Sequence, residues 1–181
     1  MKNRLREDLA AMGDVITQSG MEFAADNAFH IEESLLYKSA GDGVRTVEFI
    51  RVMENRLLFV EAKTTFANPN NPAEGNYSRF QSEIDQICEK LIHSLNMYSS
   101  VKVGATDKPF PEKFVPPERV LIIFVLVIKN HENEWCKPVY AKLVEQLPLY
   151  LKKIWKPNVV VMNHETATKW NLTLSVKLAN H

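Results

Sequence analysis

The sequence predicts an α/β protein in which a mixed β-sheet is flanked by helices. Three stretches carry that prediction. Val44 to Thr65 reads as two strands around a tight turn at Glu54-Asn55. Residues 78–99 set Phe80, Ile84, Ile87, Leu91, Leu95 and Tyr98 three or four positions apart, the period of a helix with one buried stripe. Arg119 to Lys129 is an almost unbroken aliphatic run, too short to span a bilayer and suited to a central buried strand.

The remaining elements come in order along the chain. Leu5, Leu9 and Met12 place a short amphipathic helix over 3–12, and Gly13 and Gly20 punctuate the stretch after it. Residues 21–33 fit either the end of a helix or the approach to a strand. Ser34 to Ser39 reads as a strand, and Gly41-Asp42-Gly43 as a turn. The hairpin occupies 44–53 and 56–65. Ala67 to Asn76 is a loop rich in asparagine and proline, and Ser78 is placed to cap the next helix. Gly104 to Pro117 is a second loop, and His131 to Cys136 a polar turn. Residues 138–156 carry a helical stripe of Val139, Leu143, Leu147, Leu151 and Ile154, which Pro148 should kink or split. Asn158 to Met162 is a short strand, His164 to Trp170 a short helix, and Leu172 to Leu178 a last alternating strand. The order is αβββαβαβ. A hairpin ahead of a β-α-β-α-β run implies a mixed sheet with helices on both faces.

Composition narrows the class. The 181 residues favour one domain, 1–181, with its core over about 30–165. The 45% hydrophobic and 24% charged content is ordinary for a soluble globular protein, and points to the cytoplasm rather than a membrane. The 22 basic and 22 acidic residues cancel, so any surface for an anionic polymer must come from local clustering. Cys88 and Cys136 have no metal-type spacing and read as reduced thiols, Cys88 inside a helix core. The N-terminal residues show no apolar h-region of a signal peptide.

The hairpin carries the chemistry. With a two-residue loop, Met53 pairs with Arg56, and Glu48 then falls opposite Glu61. Lys63 shares their face, together with Ile50, Val52, Leu57 and Phe59. The other face holds Val47, Phe49, Met53, Leu58 and Val60, interrupted by Arg51 and Arg56. Strands apolar on both faces are covered on both sides, and buried charges need partners. Facing carboxylates have Cβ atoms about 4.5–5.5 Å apart and repel. A divalent cation with oxygen ligands would compensate them. The alternative is a solvated sheet end at which Lys63 pairs with one glutamate.

Glu48 followed by Glu61-Ala62-Lys63, in the strand FVEAK ahead of a helix, resembles the PD-(D/E)xK nuclease superfamily, the restriction-endonuclease-like fold. The resemblance in element order extends over most of residues 30–165; the motif itself covers the hairpin. It implies a nuclease in which Glu48 and Glu61 bind Mg²⁺ or Mn²⁺, helped by the backbone carbonyl of Ala62. Lys63 would orient or deprotonate the attacking water. It also implies an accessory upstream acid, Glu32 or Glu33, and a helix glutamine, Gln81 or Gln86. The substrate would be DNA or RNA. Position 48 is glutamate where the family usually has aspartate, and no proline precedes it.

Other polar groups have plainer readings. Gln86, Lys90 and His93 share a helix face, and a solvated face is the default there. Lys152, Lys153 and Lys156 beside Trp155 form a basic cluster suited to a helix C-terminus or to phosphates. His30, His131, His164 and His181 show no ligand spacing. Trp135 and Trp170 read as packing at the core margin. The expected function is a metal-dependent phosphodiesterase. The second reading is a non-catalytic binding or regulatory module on the same fold, with homodimerisation open to either.

Overall fold

The computed structural model describes residues 14–174. The helix expected over 3–12, and the expected last strand beyond residue 174, lie outside the described residues.

The frame is a five-stranded mixed sheet. A hairpin, β1 (Val15–Gln18) and β2 (Met21–Ala24), comes first and forms a separate two-stranded sheet. Its turn, Ser19-Gly20, has both residues in the left-handed region at φ 50 and 70, as a two-residue loop requires. β3 (Ala28–Phe29), β4 (Phe49–Met53), β5 (Arg56–Lys63), β6 (Leu121–Ile128) and β7 (Asn158–Asn163) follow in spatial order. The β3–β4 and β4–β5 pairs are antiparallel, and the β5–β6 and β6–β7 pairs are parallel.

Helices make the parallel crossovers, as parallel strands require. α1 is Leu35–Ala40, α2 Asn76–Lys102, α3 Asn133–Gln146 and α4 His164–Lys169. α2 and α3 cover one face, where Phe80, Ile84, Leu91, Leu95, Val139 and Leu143 meet Ile50, Val52, Leu57 and Phe59. On the other face Ile16, Met21 and Phe23 of the first hairpin and Ala167 of α4 meet Phe49, Leu58 and Val60. The alternation holds from Phe49 onward, but Val47, expected beside Phe49, packs in the opposite core with Ile50 and Phe59, because the regular pairing ends at Phe49.

Several expectations need correction. Ser34 to Ser39 is not a strand; the Ser34 hydroxyl accepts from the Tyr37 N–H at 3.1 Å and starts α1. The extra antiparallel strand is β3 instead. The residue that caps α2 is Gly75, in the left-handed region at φ 75, and not Ser78, which lies inside the helix. The expected turn His131 to Cys136 already holds the first turn of α3, and Pro138 lies inside that helix. The chain leaves the helix at Leu147-Pro148 and re-forms a π-helical turn at Leu151–Trp155. Leu172 to Leu174 begin a third strand-like segment beside β2, with Phe23 bridged to Thr173. Among the described residues, no helix is long and apolar enough to cross a membrane, and both cysteines are free and buried.

Candidate functional site

The β4–β5 register holds the key pairing. The two-residue loop puts Met53 opposite Arg56 and Phe49 opposite Val60. Glu48 lies one residue outside β4, yet its N–H still donates to the Val60 carbonyl at 3.1 Å. The ladder pairing ends at Phe49 and Val60, so Glu48 shares the Val60 carbonyl in a bulge rather than standing directly opposite Glu61 as the unbroken register would place it. The next residue back leaves the sheet, because the Val47 N–H donates to Ser94 Oγ on α2 at 2.9 Å.

Around that strand end five charged groups converge. Glu61 is fully buried. Both its oxygens accept from Lys90 Nζ of α2, at 2.8 and 3.0 Å. Lys63 Nζ stands 3.4 Å from Glu61 Oε1. Lys90 Nζ also lies 4.0 Å from Glu48 Oε1, so one ammonium serves both carboxylates. The Glu32 carboxyl, from the 3₁₀ turn Ile31–Glu33 after β3, hydrogen bonds to that of Glu48.

The electrostatics follow from burial and crowding. Burial, the hydrogen bond to Glu32 and the negative charges of Glu61 and Glu32 push the Glu48 carboxyl up to about 8, with Lys90 opposing. Burial also raises Glu61, against the two ammonium groups. Burial pulls Lys90 down, but the charges of Glu61, Glu48 and Glu32 outweigh it and hold the ammonium protonated. Burial argues for a neutral Glu61 while its partner argues for an ionised one. Two hydrogen bonds from Lys90 and the nearby Lys63 ammonium decide for the ionised form, so the carboxyl that holds a proton is Glu48.

The expected site residues divide. Glu48, Glu61 and Lys63 come together, and Glu32 joins them. Glu33 does not; it is exposed and pairs with His30 at 3.3 Å. Gln81 and Gln86 bond Asp85 and Ser82 on their own helix, each at 3.4 Å, and contribute nothing to the cluster. The Ala62 carbonyl accepts from Ser19 Oγ at 2.9 Å, so the tip of the first hairpin caps it. Lys90 is the residue whose role sequence reasoning misses. The signal is present: Lys90 stands one turn from buried Ile87 and Ser94, at the margin of the apolar stripe rather than opposite it. His93, from the same face, accepts from the Arg45 N–H at 3.1 Å.

A divalent cation was expected here. Among the described residues, no three His, Cys, Asp or Glu side chains are arranged with metal-binding spacing. Carboxylates from three chain segments do meet at this corner of the sheet, but without the three-ligand arrangement of a metal site. The point already attracts a cation, the Lys90 ammonium. A cavity of about 710 Å³ opens elsewhere, lined by Leu58, Ile123, Val125, Val160 and Met162 of the opposite sheet face. It holds no carboxylate, so the chemistry rests with the charged cluster.

No family model, curated protein or solved structure matches the chain.

Proposed function

We propose that the protein is a metal-dependent phosphodiesterase acting on nucleic acid, of the restriction-endonuclease-like class. The observation that carries this reading is the convergence of Glu32, Glu48 and Glu61, from three separate segments, on Lys63 and Lys90 at the end of a mixed sheet. A structural ion pair needs one acid and one base. Three acids against two lysines, with one acid driven to hold a proton, make a crowded, strongly perturbed site of the kind that favours function over a simple structural pair.

Glu48 and Glu61 would hold Mg²⁺ or Mn²⁺, with Glu32 as the accessory acid. Such an ion lowers the pKa of a bound water and draws charge from a phosphoryl oxygen. Lys63 supplies the rest from the chain. Its side chain is 34% exposed, so the ammonium reaches both Glu61 and solvent. There it orients a water and stabilises negative charge developing on a phosphodiester. The buried apolar neighbours Ile50, Val52 and Phe59 keep the inner side dry, which strengthens each of these interactions.

One observation favours the second reading, a binding or regulatory module without turnover. Both oxygens of Glu61 are already held by Lys90, which leaves the cluster neutralised from within. The experiment is a titration of Mg²⁺ and Mn²⁺ into wild type and Glu61→Ala, with mixed DNA and RNA substrates. Cleavage that needs metal and vanishes in the variant supports the nuclease. Metal binding without cleavage supports the module. Absence of both removes the metal reading.

A further inference from the structure

We propose a second site on the opposite face of the sheet: a pocket for a small organic anion, one carboxylate or phosphate on an apolar body. The register builds its floor. Leu58 pairs with Ile123 and Val60 with Val125 across β5–β6, and Val125 pairs with Val160 across β6–β7. These side chains therefore share one face. Glu61 and Lys63 share the alternate face with Leu57 and Phe59, so the pocket is separate from the charged cluster. The first hairpin and α4 cover only part of the floor. Ile123 and Val160 stay partly buried, and Leu121, one place further along that face, is 53% exposed.

The volume, about 710 Å³, lies within the range of small-molecule pockets, roughly 300–1,000 Å³. Tyr140 of α3 and Trp170 after α4 add aromatic walls. The charged groups are of one sign. Arg56 and Lys152 line the pocket, and among the described residues no carboxylate joins them. Lys152 is fixed in place, because its Nζ donates to the carbonyls of Val144 and Glu145 at 3.2 and 3.1 Å. An ammonium has three N–H groups, so one is left for an incoming anion. Arg56 begins β5 on the face of Leu58, half exposed, with Glu54 as its ion-pair partner at 3.9 Å. A pair so long and so exposed holds the guanidinium weakly, which leaves its fork for a ligand oxyanion.

An apolar floor alone accepts any hydrophobic body. Two cations without an acid select a body with a negative head. A single nucleic-acid strand would also answer to cations and aromatic rings. Base stacking needs flat faces, however, and this floor is branched aliphatic. The observations favour the small anion, and an oligonucleotide is the competitor to exclude.

The test titrates the full chain with 1-anilinonaphthalene-8-sulfonate, an apolar body with one anionic group, and follows the dye's fluorescence. Octanoate, octyl phosphate, neutral octanol and a short oligothymidylate then compete with it. Methyl resonances of Leu58, Ile123 and Val160 report where each ligand sits. The expected result is saturable binding of one dye per chain, with shifts at Ile123 and Val160. One of the two octyl anions should displace it at least roughly tenfold better than octanol, the weight of one charge-assisted hydrogen bond. The better anion tells carboxylate from phosphate. Arg56→Gln, at an exposed turn, should lose most of that preference and keep its affinity for octanol. Wild type alone can overturn the proposal in four ways: no dye binding, equal competition by octanol, displacement by the oligothymidylate alone, or shifts confined to the exposed Leu149 and Ile154. A preference for the anion that survives both Arg56→Gln and Lys152→Gln overturns it as well.

Discussion

Replacing Glu48 by glutamine should remove a pH dependence of stability that the wild type carries. Crowding and burial lift the Glu48 carboxyl from 4.5 to about 8 in the folded protein. The unfolded chain loses this proton near 4.5, whereas the folded chain keeps it until about 8. Between those limits the unfolded state binds fewer protons, so stability falls as pH rises, and it levels off above the folded value. At about 1.36 kcal/mol per unit the full interval would amount to nearly 5 kcal/mol. The Glu48 side chain keeps 11% of its surface and touches the half-buried Glu32, so solvent screens part of this. About 2 kcal/mol is the expected loss between about pH 5 and about pH 8. Glutamine keeps the shape, can donate to Glu32 and has no proton to lose. Urea unfolding in chelator, followed by the fluorescence of Trp135, Trp155 and Trp170, measures both proteins across the series. The wild-type stability minus that of the variant should fall by that amount. A difference constant within a few tenths refutes the reasoning. A rising one would mean that Lys90 holds Glu48 ionised, with the proton elsewhere.

Two further outcomes rest on the same groups. An ion bound by Glu48 must expel its proton, so Mn²⁺ affinity should rise up to about tenfold per pH unit until about pH 8. Calorimetry in buffers of different ionisation enthalpy should count the released proton, and a pH-independent affinity would contradict the assignment. Ser94→Ala leaves the buried Val47 N–H without its acceptor, with a cost of about 1–3 kcal/mol in urea unfolding. A cost near zero would show that Val47 finds another partner and that Ser94 does not fix the strand end.

How much of the molecule is legible in the sequence depends on where the information lies along the chain. The hairpin is readable because its register follows from one turn and its faces from strict alternation. Met53 opposite Arg56 then fixes the pairs as far as Phe49 and Val60, and only the bulge at Glu48, which no local signal announces, departs from it. α2 and β6 are readable because each is long and carries one unbroken pattern. Ser34 to Ser39 misleads because six residues cannot separate a helical period from alternation, and the deciding bond is the Ser34 cap. The start of α3 is hidden because Pro138 reads as a first helical residue, and here it lies in the interior. β1 and β2 are four residues each, with Ser19-Gly20 as their only strong local signal. Within the site, Glu32 is distinguishable from Glu33 only through the 3₁₀ turn that aims one inward. Lys90 is hidden for a different reason. Its partner Glu61 is 29 positions away, and helical periodicity describes a face without saying what lies across from it.

The bond between Val47 and Ser94 gives the site a mechanical property. Ser94 fastens the strand just before Glu48, and Lys90, one turn earlier on the same helix, reaches Glu61. The two attachment points are four residues apart, about 6 Å along the helix axis. α2 thus acts as a ruler with two marks, and the hairpin is aligned against both at once. Removing one residue between the marks would turn one about 100° from the other, so that engaging Ser94 would swing Lys90 off the cluster. The same deletion after Ser99 would leave both marks in step. The cluster depends on indexing between a helix and a strand end, and the same helix residues that pack the core hold the two marks in register.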